Sequence, residues 1–235
     1  MLTTYTARDI ITGQFQALWL WGIVMQHIQH FIWDFDGTLF DSYPIIIGNL
    51  RAALQDFGCD CDPVEAMGLM LDNIGHAQSY YAEKFGIDKQ ALIDAYTIHH
   101  QKINPQLLAQ PMEGIEKVLA RICETGRSNY IFTHRKCSTT AQYLEKYGLD
   151  RYFQEIIGPE SPCFAYKPAP GALLYLMKKY GMTTEDAVMV GDRDCDLGSA
   201  RNAGIKTAHY VCALVPETLS CDFRFASYQE MLANL

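Results

Sequence analysis

The sequence is short of positive charge. Of its 235 residues 19 are Lys or Arg against 27 Asp and Glu, a net charge of -8, and no basic run occurs. Such a chain has no electrostatic footprint for a nucleic acid or an acidic membrane surface, and no interleaving of aromatic and basic residues marks a nucleic-acid face. Long hydrophobic runs are lacking too. The most apolar stretch, Phe15 to Met25 (FQALWLWGIVM), falls short of the roughly 20 residues that span a bilayer. No cationic segment precedes it, since Arg8 is balanced by Asp9, so a secretory signal is not supported. Internal repeats and low-complexity segments are absent. A cytoplasmic setting and a small-molecule partner, with no nucleic acid and no membrane, are therefore expected; the oligomeric state stays open.

Cysteine is present, with eight residues, but they are scattered through a chain too long to need a disulfide framework. Cys59 and Cys61 form a CxC pair without a second Cys/His pair at ligand spacing, which reads as two small residues in a turn rather than a zinc site. Residues 1–24 could be a helix packed on the body, a partner-binding segment, or sequence upstream of a start at Met25. The last is favoured, because the recognisable pattern begins just after Met25.

What is there is an apolar fraction of 49%, enough for a core, and an alternation of short apolar runs with helical stretches. That alternation predicts an α/β fold, a Rossmann-like parallel sheet flanked by helices. The expected strands are Phe31 to Phe35, Asn129 to Thr133, Glu155 to Ile157, Ala187 to Val190 and Lys206 to Tyr210. From 42 to 110 the pattern becomes purely helical (Ile45 to Phe57, Pro63 to Met70, Ala77 to Phe85, Lys89 to Ile103), which predicts an inserted α-helical domain, with residues 25–41 and 111–235 forming the core. Pro44 and Pro111 lie near the two hinges, and Gly114 to Glu124 is a helix leading back to the sheet, stopped by Gly126.

Three expected strands end in polar clusters, DFDGT, THR and GDRDCD, and ligands of open α/β sheets bind at the carboxyl ends of strands. In Asp34-Phe35-Asp36-Gly37-Thr38 the two acids are spaced i, i+2 and point to one side, where they can share a cation or divide nucleophilic and proton-transfer roles; a simple turn after a strand is the plainer alternative. Gly191-Asp192-Arg193-Asp194-Cys195-Asp196 adds three acids in six residues, a density that calls for a cation, with magnesium the natural candidate. Asp194 could also cap the following helix. Thr133 offers a hydroxyl at a strand end and Lys167, in YKPAP, a positive charge before a helix start; each taken alone is an ordinary structural residue.

Together, DFDGTLFDS, THR, KP and GDRDCD resemble the haloacid dehalogenase superfamily, in its phosphoglycolate phosphatase and β-phosphoglucomutase-like branch with a helical cap inserted after the first motif. The resemblance covers about residues 30–215. It implies a phosphatase in which Asp34 is the nucleophile, Asp36 protonates the leaving alcohol and then activates water, Thr133 and the backbone at His134 bind the phosphoryl group, and Lys167 orients Asp34. It implies Mg2+ held by Asp34, the Asp36 carbonyl and Asp192, with Asp196 as a further carboxylate of the metal site. Arg193, where a small residue is common, is either an ion-pair partner of the acids or a substrate contact; His134 and Arg135 also depart from the usual Thr-Asn or Ser-Asn form. Cap residues Asn73, His76, Gln78, Tyr80 and Tyr81, then His99 and His100, are candidate substrate contacts. The substrate is expected to be a small phosphorylated metabolite. A phosphomutase of the β-phosphoglucomutase type would use the same residues. A dehalogenase would leave the acids of GDRDCD without a purpose, and a non-catalytic phosphate-binding scaffold would not need every one of these groups.

Overall fold

The computed structural model describes residues 25–70, 73–101, 109–212 and 219–235. Expectations for residues 1–24, and for the end of the fourth helix beyond Gln101, lie outside the described residues.

The strands are β1 (His30–Trp33), β2 (Phe40–Asp41), β3 (Gln110–Pro111), β4 (Ser128–Phe132), β5 (Phe153–Ile157), β6 (Ala187–Gly191), β7 (Lys206–Tyr210) and β8 (Phe223–Phe225). Six of them make one sheet in the order β5-β4-β1-β6-β7-β8, parallel throughout. The helices are α1 (Tyr43–Gln55), α2 (Pro63–Met70), α3 (Ile74–Phe85), α4 (Lys89–Gln101), α5 (Ile115–Glu124), α6 (Cys137–Tyr147), α7 (Gly171–Tyr180), α8 (Asp194–Ala203) and α9 (Tyr228–Ala233).

The sheet is buried on both faces because side chains alternate along each strand. Phe31 and Trp33 of β1 pack with Val118 and Leu119 of α5, Tyr143 and Leu144 of α6, and Met231 of α9. Ile32, between them, joins the opposite cluster with Leu173 and Leu176 of α7 and Ala200 of α8. Helices α1 to α4 build most of a third apolar cluster, from Ile47, Leu50 and Leu54 of α1 to Met67, Tyr81 and Leu92 of the next three, which Cys212 after β7 joins. The sheet and this helical layer are joined by β2 and β3, which pair antiparallel through Phe40↔Pro111 and Asp41↔Gln110.

Two helix starts and one strand stand out among the differences from the sequence reading. Helix α1 begins at Tyr43, so Pro44 lies inside its first turn, where a fixed φ and a missing N–H cost nothing. Helix α3 begins at Ile74 rather than Ala77, because the Asn73 side chain accepts from the His76 backbone N–H at 3.0 Å and caps it there. β8 was not anticipated: Phe-Arg-Phe is a three-residue edge strand with both Phe side chains buried, too brief for alternation to stand out.

Candidate active site

The chain reaches the carboxyl edge of the sheet at β1, between β4 and β6, where strand order reverses and a crevice opens. Asp34 follows directly, its N–H donating to the Val190 carbonyl at 2.9 Å. Gly37 then turns the chain with φ +80°, and a Cβ there would lie 2.3 Å from Tyr43 Cε2. From β6 the chain passes through Gly191 into Asp192 and α8, and here too a side chain would be blocked, by the Asp196 Cβ at 2.3 Å. Only glycine lets the two acidic turns close on one another.

Asp34 is 1% exposed. Its Oδ1 accepts from Lys167 Nζ at 2.5 Å, and the same ammonium donates to Asp196 Oδ1 at 2.6 Å. The other oxygen, Asp34 Oδ2, is buried without a hydrogen-bond partner, with Arg193 Nη2 3.9 Å away. Asp192 is held at both oxygens, Oδ1 by Thr38 Oγ1 at 3.0 Å and Oδ2 by the Tyr43 hydroxyl at 2.6 Å. Asp196 Oδ2 accepts from the Arg193 N–H at 3.0 Å, so Asp196, not Asp194, closes the start of α8. Asp194 is instead exposed and paired with Arg201 at 2.6 Å. Ligand atoms of Asp34, Asp192 and Asp196 lie within 4.8 Å of one another. This buried, all-oxygen donor set fits a hard divalent cation.

The charges bear this out physically. Burial, then repulsion from Asp196, raises Asp34 to about 6 despite Lys167 and Arg193. Burial, then Asp196, raises Asp192 to about 7. Burial also opposes the charge on Asp196, yet Lys167 and Arg193 outweigh it and hold that carboxyl below its ordinary value. Burial works against Lys167 as well, but Asp196 and Asp34 keep it charged. Three acids against the Lys167 ammonium and the Arg193 guanidinium still leave one negative charge over, which a cation would offset.

Asp36 faces the crevice mouth. Its Oδ1 accepts from Ser42 Oγ at 2.6 Å and Arg135 Nη2 at 2.5 Å; burial raises its pKa, but Arg135 and Ser42 more than offset this and hold it low. Thr133 is fully buried, its N–H on the Ile157 carbonyl at 3.0 Å and its Oγ1 accepting from the Arg135 N–H at 3.0 Å. The His134 side chain turns to Lys167, whose backbone N–H donates to His134 Nε2 at 2.8 Å. Burial, then Lys167 and Arg193, lowers His134 to about 4, so the ring is neutral.

Asp34, Asp36, Thr133, His134, Lys167, Asp192, Arg193 and Asp196 therefore lie together. The helical candidates divide. Asn73 is spent on capping α3, with His76 exposed on the same first turn. Gln78 is buried. Tyr80 and Tyr81 both donate to Glu65, at 2.8 and 3.0 Å, and His99 pairs with Asp56 at 2.8 Å. His100 lies near enough to Arg135 and Asp36 to feel their charges, and so does Tyr96. Ser42 and Tyr43 were missed, because a hydroxyl beside a helix start carries no sequence mark of the carboxylate it reaches, and Tyr96, because a tyrosine inside a helix reads as packing.

A profile described as haloacid dehalogenase-like hydrolase matches residues 31–210. The chain belongs to the haloacid dehalogenase-like hydrolase family. Among curated relatives of this hydrolase, phosphoglycolate phosphatase 1 of Pseudomonas aeruginosa is 28% identical over 75% of the chain and 67% of the relative. Pyrophosphatase PpaX of Halalkalibacterium halodurans is 26% identical over 75% of the chain and 80% of the relative. The crystal structure of a HAD-superfamily hydrolase, subfamily IA, from Geobacter sulfurreducens superposes with a TM-score of 0.69 at 21% identity, over 88% of this chain and 95% of that one; at that identity it bears on the fold. No helix among the described residues is long and apolar enough to cross a membrane.

Proposed function

We propose that this hydrolase is a magnesium-dependent phosphatase that cleaves a small, phosphoglycolate-like phosphate monoester through a phosphoryl group carried on Asp34. The observation that carries the reading is the state of Asp34: one oxygen fixed by Lys167 and the other buried and without a partner. A carboxylate so oriented presents a single oxygen to an incoming phosphorus.

In this reading Asp34 Oδ2 attacks, and Asp36, ionised in the empty site but driven by the charge of a bound anionic ester to take up a proton from solvent, gives that proton to the departing alkoxide. Asp36 is then a carboxylate and draws a proton from the water that attacks the phosphoryl-aspartate, so one residue serves both halves. Thr133 and the His134 backbone hold phosphoryl oxygens. Lys167 lowers the repulsion between Asp34 and a dianionic ester and fixes the rotamer of the nucleophile. Asp34, Asp192 and Asp196, with the Asp36 carbonyl, would hold Mg2+, which supplies charge stabilisation to the phosphoryl oxygens when bound. The helical layer α1 to α4 is the cap, excluding water while the first step proceeds. Two kinds of relative named above, a phosphoglycolate phosphatase and a pyrophosphatase, bear names that point to small acidic phosphates, in keeping with this substrate class.

Phosphate release from a panel of small monoesters with Mg2+ tests the reading. Asp34→Asn should lower kcat by about 10⁴-fold or more, and unchanged release by that variant would sink the mechanism. Conversion of β-glucose 1-phosphate to glucose 6-phosphate, with a bisphosphate primer and no free phosphate, would instead make the chain a mutase.

A further inference from the structure

Beside the acid at the crevice mouth lies a cation that attack by Asp34 does not employ. The Arg135 side chain is 9% exposed, and its guanidinium is flanked by the Phe35 and Tyr143 rings at 5.2 and 5.1 Å. Its Nη2 donates to Asp36 Oδ1 at 2.5 Å, while the buried Nε has no partner. A guanidinium offers five N–H bonds in a planar fork suited to carboxylate or phosphate, so a single carboxylate oxygen leaves it under-used. Among the described residues Asp36 is its one acidic partner.

The opposite wall is uncharged. Tyr96 and His100 of α4, stacked at 5.9 Å and 9°, come near enough to Arg135 and Asp36 to feel both charges, and Asn49 of α1 lies 3.5 Å from His100 Nδ1. Around Asp36 a buried, partly unpartnered guanidinium is thus accompanied by neutral hydrogen-bonding groups of the helical layer.

We infer that Arg135 binds an anionic substituent of the leaving alcohol, a carboxylate or a second phosphate, which Tyr96 and His100 enclose from the helical layer. Arg135 and the ester oxygen share Asp36, so the anionic group lies only a few bonds from that oxygen. This makes Arg135 the specificity-determining residue of the site, and it rests on the phosphatase reading above.

Values of kcat/KM for 2-phosphoglycolate and for ethyl phosphate, which lacks the carboxylate, test the inference in the wild type, Arg135→Gln and Arg135→Lys. Because Arg135 also touches Asp36, substitution slows both esters; the ratio between them cancels that shared loss. The wild type should favour 2-phosphoglycolate by on the order of 100-fold, Arg135→Gln should bring the ratio to within about tenfold, mainly through KM, and Arg135→Lys should restore part of it. A wild type without preference, or a ratio that Arg135→Gln leaves intact, overturns the inference and leaves Arg135 as a support for Asp36. If the wild type hydrolyses neither ester, the phosphatase reading is what has failed. Calorimetric titration of 2-phosphoglycolate then still decides Arg135: binding that Arg135→Gln weakens supports its role, and binding it does not weaken, or none at all, refutes it.

Discussion

Gly37 and His134 are the residues at which small changes should speak most clearly. A methyl group at position 37 would need φ +80° and would meet both Tyr43 Cε2 at 2.3 Å and Asp192 Oδ2 at 2.6 Å. Gly37→Ala should therefore destabilise by about 2–4 kcal/mol in urea unfolding, strain and clash acting together. His134 is a different case. It stays neutral in the folded chain down to about 4 but takes up a proton near 6.5 when unfolded. Between those values the unfolded state binds more protons, so stability falls as the pH falls, and above 6.5 the penalty is gone. A shift of that size is worth up to about 3 kcal/mol, less for solvent screening. Unfolding free energies measured from pH 7 to 4 should show the wild type losing about 1–2 kcal/mol more than His134→Gln; a gap independent of pH would show that the ring is not held neutral.

At the scale of the element, the start of α1 deserves the closest test. Ser42 and Tyr43 reach Asp36 and Asp192 from consecutive positions, and the Tyr43 ring belongs to the apolar cluster of the helical layer. Tyr43→Phe keeps the packing and removes the hydroxyl that orients Asp192. It should weaken Mg2+ binding, followed by calorimetric titration, by about tenfold. Element by element, the sequence spoke where a pattern is long or chemistry is dense. β6 was legible as an apolar run, and the DFDGT and GDRDCD turns as concentrations of acid at strand ends. Where information is spread across space, it was silent. Nothing local tells that Tyr43 meets Asp192, 149 positions away, or that Asn73 is occupied as a cap rather than open to a ligand. β8 was hidden by its brevity, since two Phe residues around one Arg do not make a period.

For the whole molecule, the unbalanced acids predict linkage between cation and fold. Asp34 and Asp192, raised to about 6 and about 7, repel Asp196 across a buried space, and a divalent ion bound only by the folded state stabilises it by mass action, about 4 kcal/mol at a thousandfold excess over Kd. The melting temperature should climb with Mg2+ concentration, and Asp192→Asn should flatten that climb. The narrow join between sheet and helices has a mechanical meaning as well. The chain crosses out along β2 and back along β3, and the two crossings are hydrogen-bonded to each other, while Phe40 of the outward crossing also bridges to Asp36. A paired ribbon bends across its face more easily than its two strands slide past one another, because sliding breaks the ladder hydrogen bonds. The helical layer is thus tethered less like a lid on a string than like a page on a spine, and the spine begins at Asp36, to which the proposed reading gives the proton transfer.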